Sequence, residues 1–367
     1  MIQRREVSPR MPPVELELGL AYEFIKSIHI YHEYGEHAEA SVYELDKSWF
    51  ETVRLSCSQN MREELEGLAM RHLPPSDDHS LNSWLHFLGV ASDSPVPKDV
   101  PTFLTYLEAL EPLEIRLYWL GYYQRTLRKV TPLDVVLQAA QGDKEALEQL
   151  FRTALPENLA AQEQVRRFVS TDGDVMKERL ITFFWNWYER VFRQQEAQIL
   201  PILERDIEAK RTLQATVSPE RFIELATNGL LYGSEAGIRR IVLAPSFLSR
   251  PWNKTLSHQD VKLFLYPVAD ESVMPDRSIP PAHLVRLYQA LADERRLRVL
   301  KLLKARSYSL QELADEFGVA KSTMHHHLGL LRTAGLVSVQ SDEKQYRLRL
   351  ETVESISTLL ANFLNNA

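Results

Sequence analysis

The pattern of apolar and polar positions is clearest between Ser309 and Arg349. Leu310, Leu313, Ala314 and Phe317 fall at i, i+3, i+4 and i+7, one stripe that predicts a short helix. Ser309 stands as its N-cap with Glu312 three residues on, the spacing of a capping box. Gly318 sits where a helix end needs a residue free to take positive φ, and Val319 plugs the turn. Ala320 to Ala334 predict a second helix, ended by Gly335, with Met324, Leu328, Leu331 and Ala334 facing inward. Two alternating runs follow, Leu336 to Val339 and Tyr346 to Leu350, around a polar tip at Ser341 to Lys344. They predict a β-hairpin, so the order is helix, turn, helix, wing.

The outer face of the second helix carries Lys321, Ser322, Thr323, His325 and His326. These side chains are hydrogen-bonding and not acidic, and such a face can enter a DNA major groove and meet base edges and phosphates. Lys321 and Arg332, with Lys344, Arg347 and Arg349 near the wing, are expected phosphate contacts. Asp315, Glu316 and Glu343 should face away from phosphates. The run His325-His326-His327 invites a metal reading. Consecutive helical residues point about 100° apart, so the three imidazoles diverge, and His327 is expected to pack partly inward.

The stretch AKSTMHHHLGLLRTAGLV, Ala320 to Val337, resembles the recognition-helix signature of ArsR-type winged-helix transcriptional regulators. ALADERRLRVLKLL, Ala290 to Leu303, is similar to that family's opening helices. Regulators of this kind can carry a long, uncharacterised N-terminal region, and VELELGLAYEFIKSIHIY behind Pro13 resembles its start. Pro245-Ser246-Phe247 and Pro251-Trp252, ahead of Tyr266 to Val268, resemble a later part. The resemblance implies double-stranded DNA as a partner and a homodimer in which the last helix pairs with the first helix of the domain. Metal-sensing members use cysteines before the recognition helix or Asp/His pairs in the last helix. This domain has no cysteine, and Thr352 to Ala367 has no histidine, so no metal or other cofactor is expected.

Upstream, the pattern is helical for most of the chain. Val14 to Leu18 predicts a short extended run, and Ala21 to Tyr34 an amphipathic helix with Tyr22, Ile25, Ile28 and Ile30 among its apolar positions. A long helix is expected over Val175 to Ile207, kinked or broken at Pro201. Its run Phe183 to Tyr188 is apolar almost all round, which means burial on several sides or burial plus a ligand wall. Phe184, Trp187, Phe247 and Trp252 are the expected lining of a small-molecule effector pocket. Ile238 to Ala244 and Val261 to Val268 predict strands, with Pro245 to His258 as the connecting loop.

The expected fold is therefore mainly α, with a large helical N-terminal body, a small β-hairpin region and a C-terminal winged helix-turn-helix domain. Residues 1–236 form the helical domain, which could hold effector and dimerisation surfaces. Residues 237–270 form the β-region, 271–281 a linker and 282–367 the DNA-binding domain. A chain of 367 residues supports this division.

Charge sharpens the picture. The net charge of −7 argues against nucleic acid taken whole, but Ser278 to Ala367 holds 12 Lys and Arg against 9 Asp and Glu, or +3. The remainder has 31 against 41, or −10, so a basic reader is joined to an acidic body. The single cysteine, Cys57, excludes an internal disulfide and fits a reducing cytoplasm. No apolar run reaches the roughly eighteen residues that span a bilayer, and no secretory leader opens the sequence. The glycines never cluster as a phosphate-cradling loop, and neither a G-x-S-x-G elbow nor an H-E-x-x-H pair occurs, so no enzyme is expected. The function expected is a dimeric, sequence-specific transcriptional regulator, a repressor, with its signal sensed by the N-terminal domain. The alternative is a winged helix that docks a partner protein without binding DNA.

Overall fold

The computed structural model describes residues 11–35, 43–68, 83–156, 158–273, 280–340 and 345–365. The expected mainly α fold with a C-terminal winged helix is the fold observed. Its strands are β1 (Val14–Leu16), β2 (Leu230–Leu231), β3 (Arg240–Ser246), β4 (Lys254–His258), β5 (Val261–Pro267), β6 (Tyr308–Ser309), β7 (Val337–Gln340) and β8 (Gln345–Leu348).

The body is built round the helix Leu20–Tyr34, in which every residue from Leu20 to Tyr31 is buried. The expected apolar positions Tyr22, Ile25, Ile28 and Ile30 are buried, but the polar positions between them are not left in solvent. Those polar side chains are instead taken inside and partnered, as burial requires. Glu23 accepts the Leu248 N–H at 2.8 Å, Ser27 accepts the Trp187 indole N–H at 2.9 Å, and Lys26 donates to the Tyr43 hydroxyl at 3.3 Å. Burial raises the Glu23 carboxyl to about 7 and pushes the Lys26 ammonium well below its ordinary value.

Against this helix lies the aromatic run. Phe184 packs on Phe24 at 5.7 Å between ring centroids, and Trp187 on Tyr31 at 5.6 Å. The expected long helix is present as Gly173–Trp187, capped by Asp172, then a π-helical stretch Tyr188–Phe192, then Arg193–Gln214. Pro201 lies inside the last segment and does not end it. The ladder lacks the bond that Pro201 cannot donate and is further widened at the π turn.

The β-region is a mixed sheet in the order β1-β3-β5-β4, within which β4 and β5 form a hairpin. β3 and β5 run parallel, and the intervening loop contributes β4 antiparallel to β5. β1 joins parallel to β3, with Val14 opposite Ile241. Alternate residues face opposite layers, as the pleat dictates. Val242, Ala244, Leu263 and Leu265 join the large helical core, whereas Ile241, Leu243, Phe264 and Tyr266 pack with Phe222 and Ile223. Two buried faces explain why IVLA and LFLY read as nearly unbroken apolar runs.

The reader has its own core, which includes Leu287, Val299, Leu303, Leu313, Met324, Leu328 and Leu331. Its sheet has the order β2-β7-β8-β6. β2 belongs to the body and pairs parallel with β7 of the wing, Leu230 opposite Val339. Among the described residues, no helix is long and apolar enough to cross a membrane.

Candidate nucleic-acid interface

The first helix of the motif spans Leu310–Phe317 and carries a complete capping box between Ser309 and Glu312. Gly318 ends it in the left-handed region at φ 61°, where a side chain would be strained. The chain then turns into the reading helix, Lys321–Thr333, whose Met324, Leu328 and Leu331 are buried. Those three anchors fix which side faces out. Lys321, Ser322, His325 and His326 are exposed, Thr323 is half-buried, and no acidic residue lies between Ala320 and His327. His327 is buried, and desolvation lowers its pKa, so it packs as a neutral ring. Arg347 on β8 is exposed, and its Nε donates to Ser307 Oγ at 2.9 Å.

Two of the expected phosphate contacts, Arg332 and Arg349, lie elsewhere than the exposed face. Lys344 is outside the described residues. Arg332 is half-buried, with its guanidinium 5.3 Å from the Trp252 ring centroid of the body. Arg349 is turned into the seam between reader and body, where Nη1 donates to Asn228 Oδ1 at 3.0 Å and to the Gly335 carbonyl at 3.1 Å. The sequence shows these charges but not what faces them. Arg298, which no local motif in the sequence singles out, is exposed and stacks 5.0 Å from the Phe317 ring, beside the turn that leads into the reading helix.

The expected pocket residues are likewise dispersed. Phe184 and Trp187 have no exposure and belong to the core. Phe247 and Trp252 pack partly buried against that core, with Trp252 lying over Gly329 of the reading helix. None of the four lines the cavity of about 200 Å³ at the seam. Among the described residues, no group of three or more His, Cys, Asp or Glu is arranged to hold a metal ion.

A capped helix, a left-handed turn, a helix with an exposed acid-free face and an antiparallel two-stranded wing define a winged helix-turn-helix domain. Residues 293–339 match the family described as bacterial regulatory protein, arsR family. The chain is 31% identical over 103 residues to the HTH-type transcriptional regulator KmtR of Mycobacterium tuberculosis (strain ATCC 25618 / H37Rv), a match covering 28% of this chain and 77% of that protein. It is 33% identical over 73 residues to the transcriptional activator HlyU of Vibrio cholerae serotype O1, covering 20% and 68%. It is 26% identical over 81 residues to the transcriptional repressor SdpR of Bacillus subtilis (strain 168), covering 22% and 90%. The chain belongs to the arsR family of bacterial regulatory proteins and is a DNA-binding transcriptional regulator. No solved structure matches it significantly.

Proposed function

We propose that the protein is a homodimeric, sequence-specific repressor whose N-terminal body receives the signal. The observation that carries the DNA reading is the exposed, acid-free face of Lys321, Ser322, His325 and His326, set outward by buried anchors behind it. Two such helices would enter successive major grooves about 34 Å apart on a roughly palindromic operator. Lys321 and Arg347 would hold phosphates, and Ser322, Thr323, His325 and His326 would discriminate bases. Arg298 would add a phosphate contact at the turn.

The dimer reading is supported by apolar surface on the reader. Val285 and Tyr288 on the helix Ala282–Leu291 are 40% and 41% exposed, and Leu350 and Leu364 on the helix Leu350–Asn365 are 48% and 63% exposed. A second copy would cover these faces, as apolar patches of this kind favour. Repression is the sign in the name of one relative and activation in that of another, and a repressor's target genes rise on deletion whereas an activator's fall.

The test is genome-wide mapping of bound DNA, with expression compared between wild-type and deletion cells. Enrichment at a few promoters whose genes rise on deletion is expected. Retention on a partner protein with no DNA bound at low salt would replace this reading with the protein-docking one.

A further inference from the structure

The face that carries Ser322, His325 and His326 does not end at His326. At about 100° per residue, Gly329 lies within ~20° of Ser322 after two turns, and Thr333 within ~20° after three. Exposure falls along this one face. Ser322, His325 and His326 are exposed, Gly329 is half-buried and Thr333 is 7% exposed. The cover comes from the body. A Cβ on Gly329 would lie 3.2 Å from the Trp252 ring, so the direction in which that position would project a side chain is already filled. Glycine is a poor residue for a helix interior, and here its missing side chain is what admits the indole. The Arg332 guanidinium lies 5.3 Å from the same ring, and Asn228 Nδ2 donates to the Thr333 carbonyl at 3.4 Å. The wing is flanked as well, since Leu230 and Leu231 of β2 stand opposite Val339 and Gln340, the far end of β7.

A duplex on this face needs the same space in any pose. A helix lying along the major groove presents its whole face to the floor, Gly329 and Thr333 included. A helix crossing the groove, about 12 Å wide, has ~6 Å or about four residues on either side of His325 before a phosphate ridge passes over it, which falls at Gly329. A helix entering tip first sinks about 8.5 Å, roughly the length from Lys321 to His326, and leaves ~4.5 Å between the rim and Gly329. That gap is about one strand thick, whereas Trp252 stands there with its loop and the sheet behind it. Charge acts in the same direction. Residues 1–277 hold 31 Lys and Arg against 41 Asp and Glu, so docking sets a net negative mass beside the approaching phosphates.

We propose that the docked arrangement is autoinhibited: the loop between β3 and β4 seats Trp252 on the reading face, and DNA binds only once the reader has left the body. This rests on the assignment of that face to DNA and adds the control of its access. Release also frees Arg332 and Arg349 from Trp252 and Asn228, so both cations can turn to phosphates in the released reader. Dock and duplex then compete for one surface. The apparent DNA affinity is the intrinsic affinity multiplied by the released fraction, and any signal that shifts that fraction sets occupancy of the operator.

The experiment compares full-length wild type with Trp252→Ala and Asn228→Gly, two changes confined to the body. Asn228→Gly suits the local φ of 53° and removes the bonds to Thr333 and Arg349, so it carries the test if Trp252→Ala does not fold. Fluorescence anisotropy on the protein's own promoter fragment, at one fixed low salt, should show at least fivefold tighter binding by the folded variants. In the wild type, saturating promoter DNA should speed amide exchange at Leu230, Leu231 and Val339, while Glu294–Ala305 stays protected. Equal or weaker binding by the folded variants overturns the autoinhibition. So does a wild-type DNA complex in which the β2 amides keep their protection, and that result leaves the DNA assignment standing. Wild type and variants that all fail to bind DNA would sink both readings together.

Discussion

Lys321→Ala separates reading from folding. Lys321 is exposed and is the first residue of its helix. A cation there opposes the helix dipole, which costs ~0.3–1 kcal/mol, and alanine is the better helix former. The variant should therefore melt at or slightly above the wild-type temperature. DNA binding should respond in the opposite direction. Each phosphate contact contributes about 0.9 to the slope of log K against log salt. A dimer loses two contacts, so the slope should fall by about 1.8, and by about 0.9 if one copy binds. With the intercept at 1 M salt unchanged, the loss is roughly 60-fold at 0.1 M and about 9-fold at 0.3 M. Fluorescence anisotropy on the protein's own promoter fragment, titrated across that range, measures both quantities. The loss should be the same on unrelated DNA, because phosphates carry no sequence. An unchanged slope, or a loss confined to some sequences, refutes the assignment of Lys321 to the backbone.

Four further outcomes are expected. Gly318→Ala forces a side chain into φ 61° and should cost about 1–2 kcal/mol in chemical denaturation, since open space around the position leaves backbone strain as the only penalty. Arg349→Ala removes a side chain 11% exposed with two charge-assisted bonds. It should loosen the seam by ~2 kcal/mol, seen as faster amide exchange at Leu230–Leu231 and Val337–Gln340, while Glu294–Ala305 stays protected. His283 and His327 both have lowered pKa values from burial, so the unfolded chain takes up protons first as pH falls below 6.5. Stability is full above that pH and declines toward pH 5, and His283→Gln or His327→Gln should flatten the decline in melting temperature. Glu23 has the opposite sign: its carboxyl rises from 4.5 to about 7, so the folded state loses stability as pH climbs through that window. Glu23→Gln should accordingly be the more stable form at pH 8, by on the order of 3 kcal/mol, with no advantage at pH 4.

The reader was legible because its signals are local. The capping box, the two helix-ending glycines and the apolar spacing each lie within a few residues of what they determine. The predicted helix Ala320 to Ala334 differs from the observed Lys321–Thr333 by one residue at each end. The body was legible in class but not in arrangement. Glu23, Lys26, Ser27 and His29 gave the central helix a polar face that only their distant partners, Leu248, Tyr43 and Trp187, convert into a buried one. β2 is two residues long, too short for any periodicity, and its meaning comes entirely from β7. The same holds for Arg332 and Arg349, where charge suggested phosphate and the fold supplied Trp252 and Asn228 instead.

The reading helix is held differently at its two ends, and in the proposed regulator this would give the body a means of acting on DNA. Its first two turns stand in the open, whereas Gly329, Arg332 and Thr333 meet the body through Trp252, Asn228 and the cavity. The wing is tied at the same side, since β2 closes the edge that β7 would otherwise leave unpaired. In the proposed dimer, the apolar faces of the first and last reader helices form the axis, and the body pulls from the far side. With recognition helices about 34 Å apart, each lies about 17 Å from the two-fold axis. Rotating each reader by roughly 10° about its dimer contact would displace its reading helix by about 3 Å, as large as a whole hydrogen-bond length. Base contacts would be lost well before the dimer or either core is disturbed. On that proposal, a seam tightened or slackened by a few kcal/mol would be enough to set operator affinity, without any change in the side chains assigned to the bases.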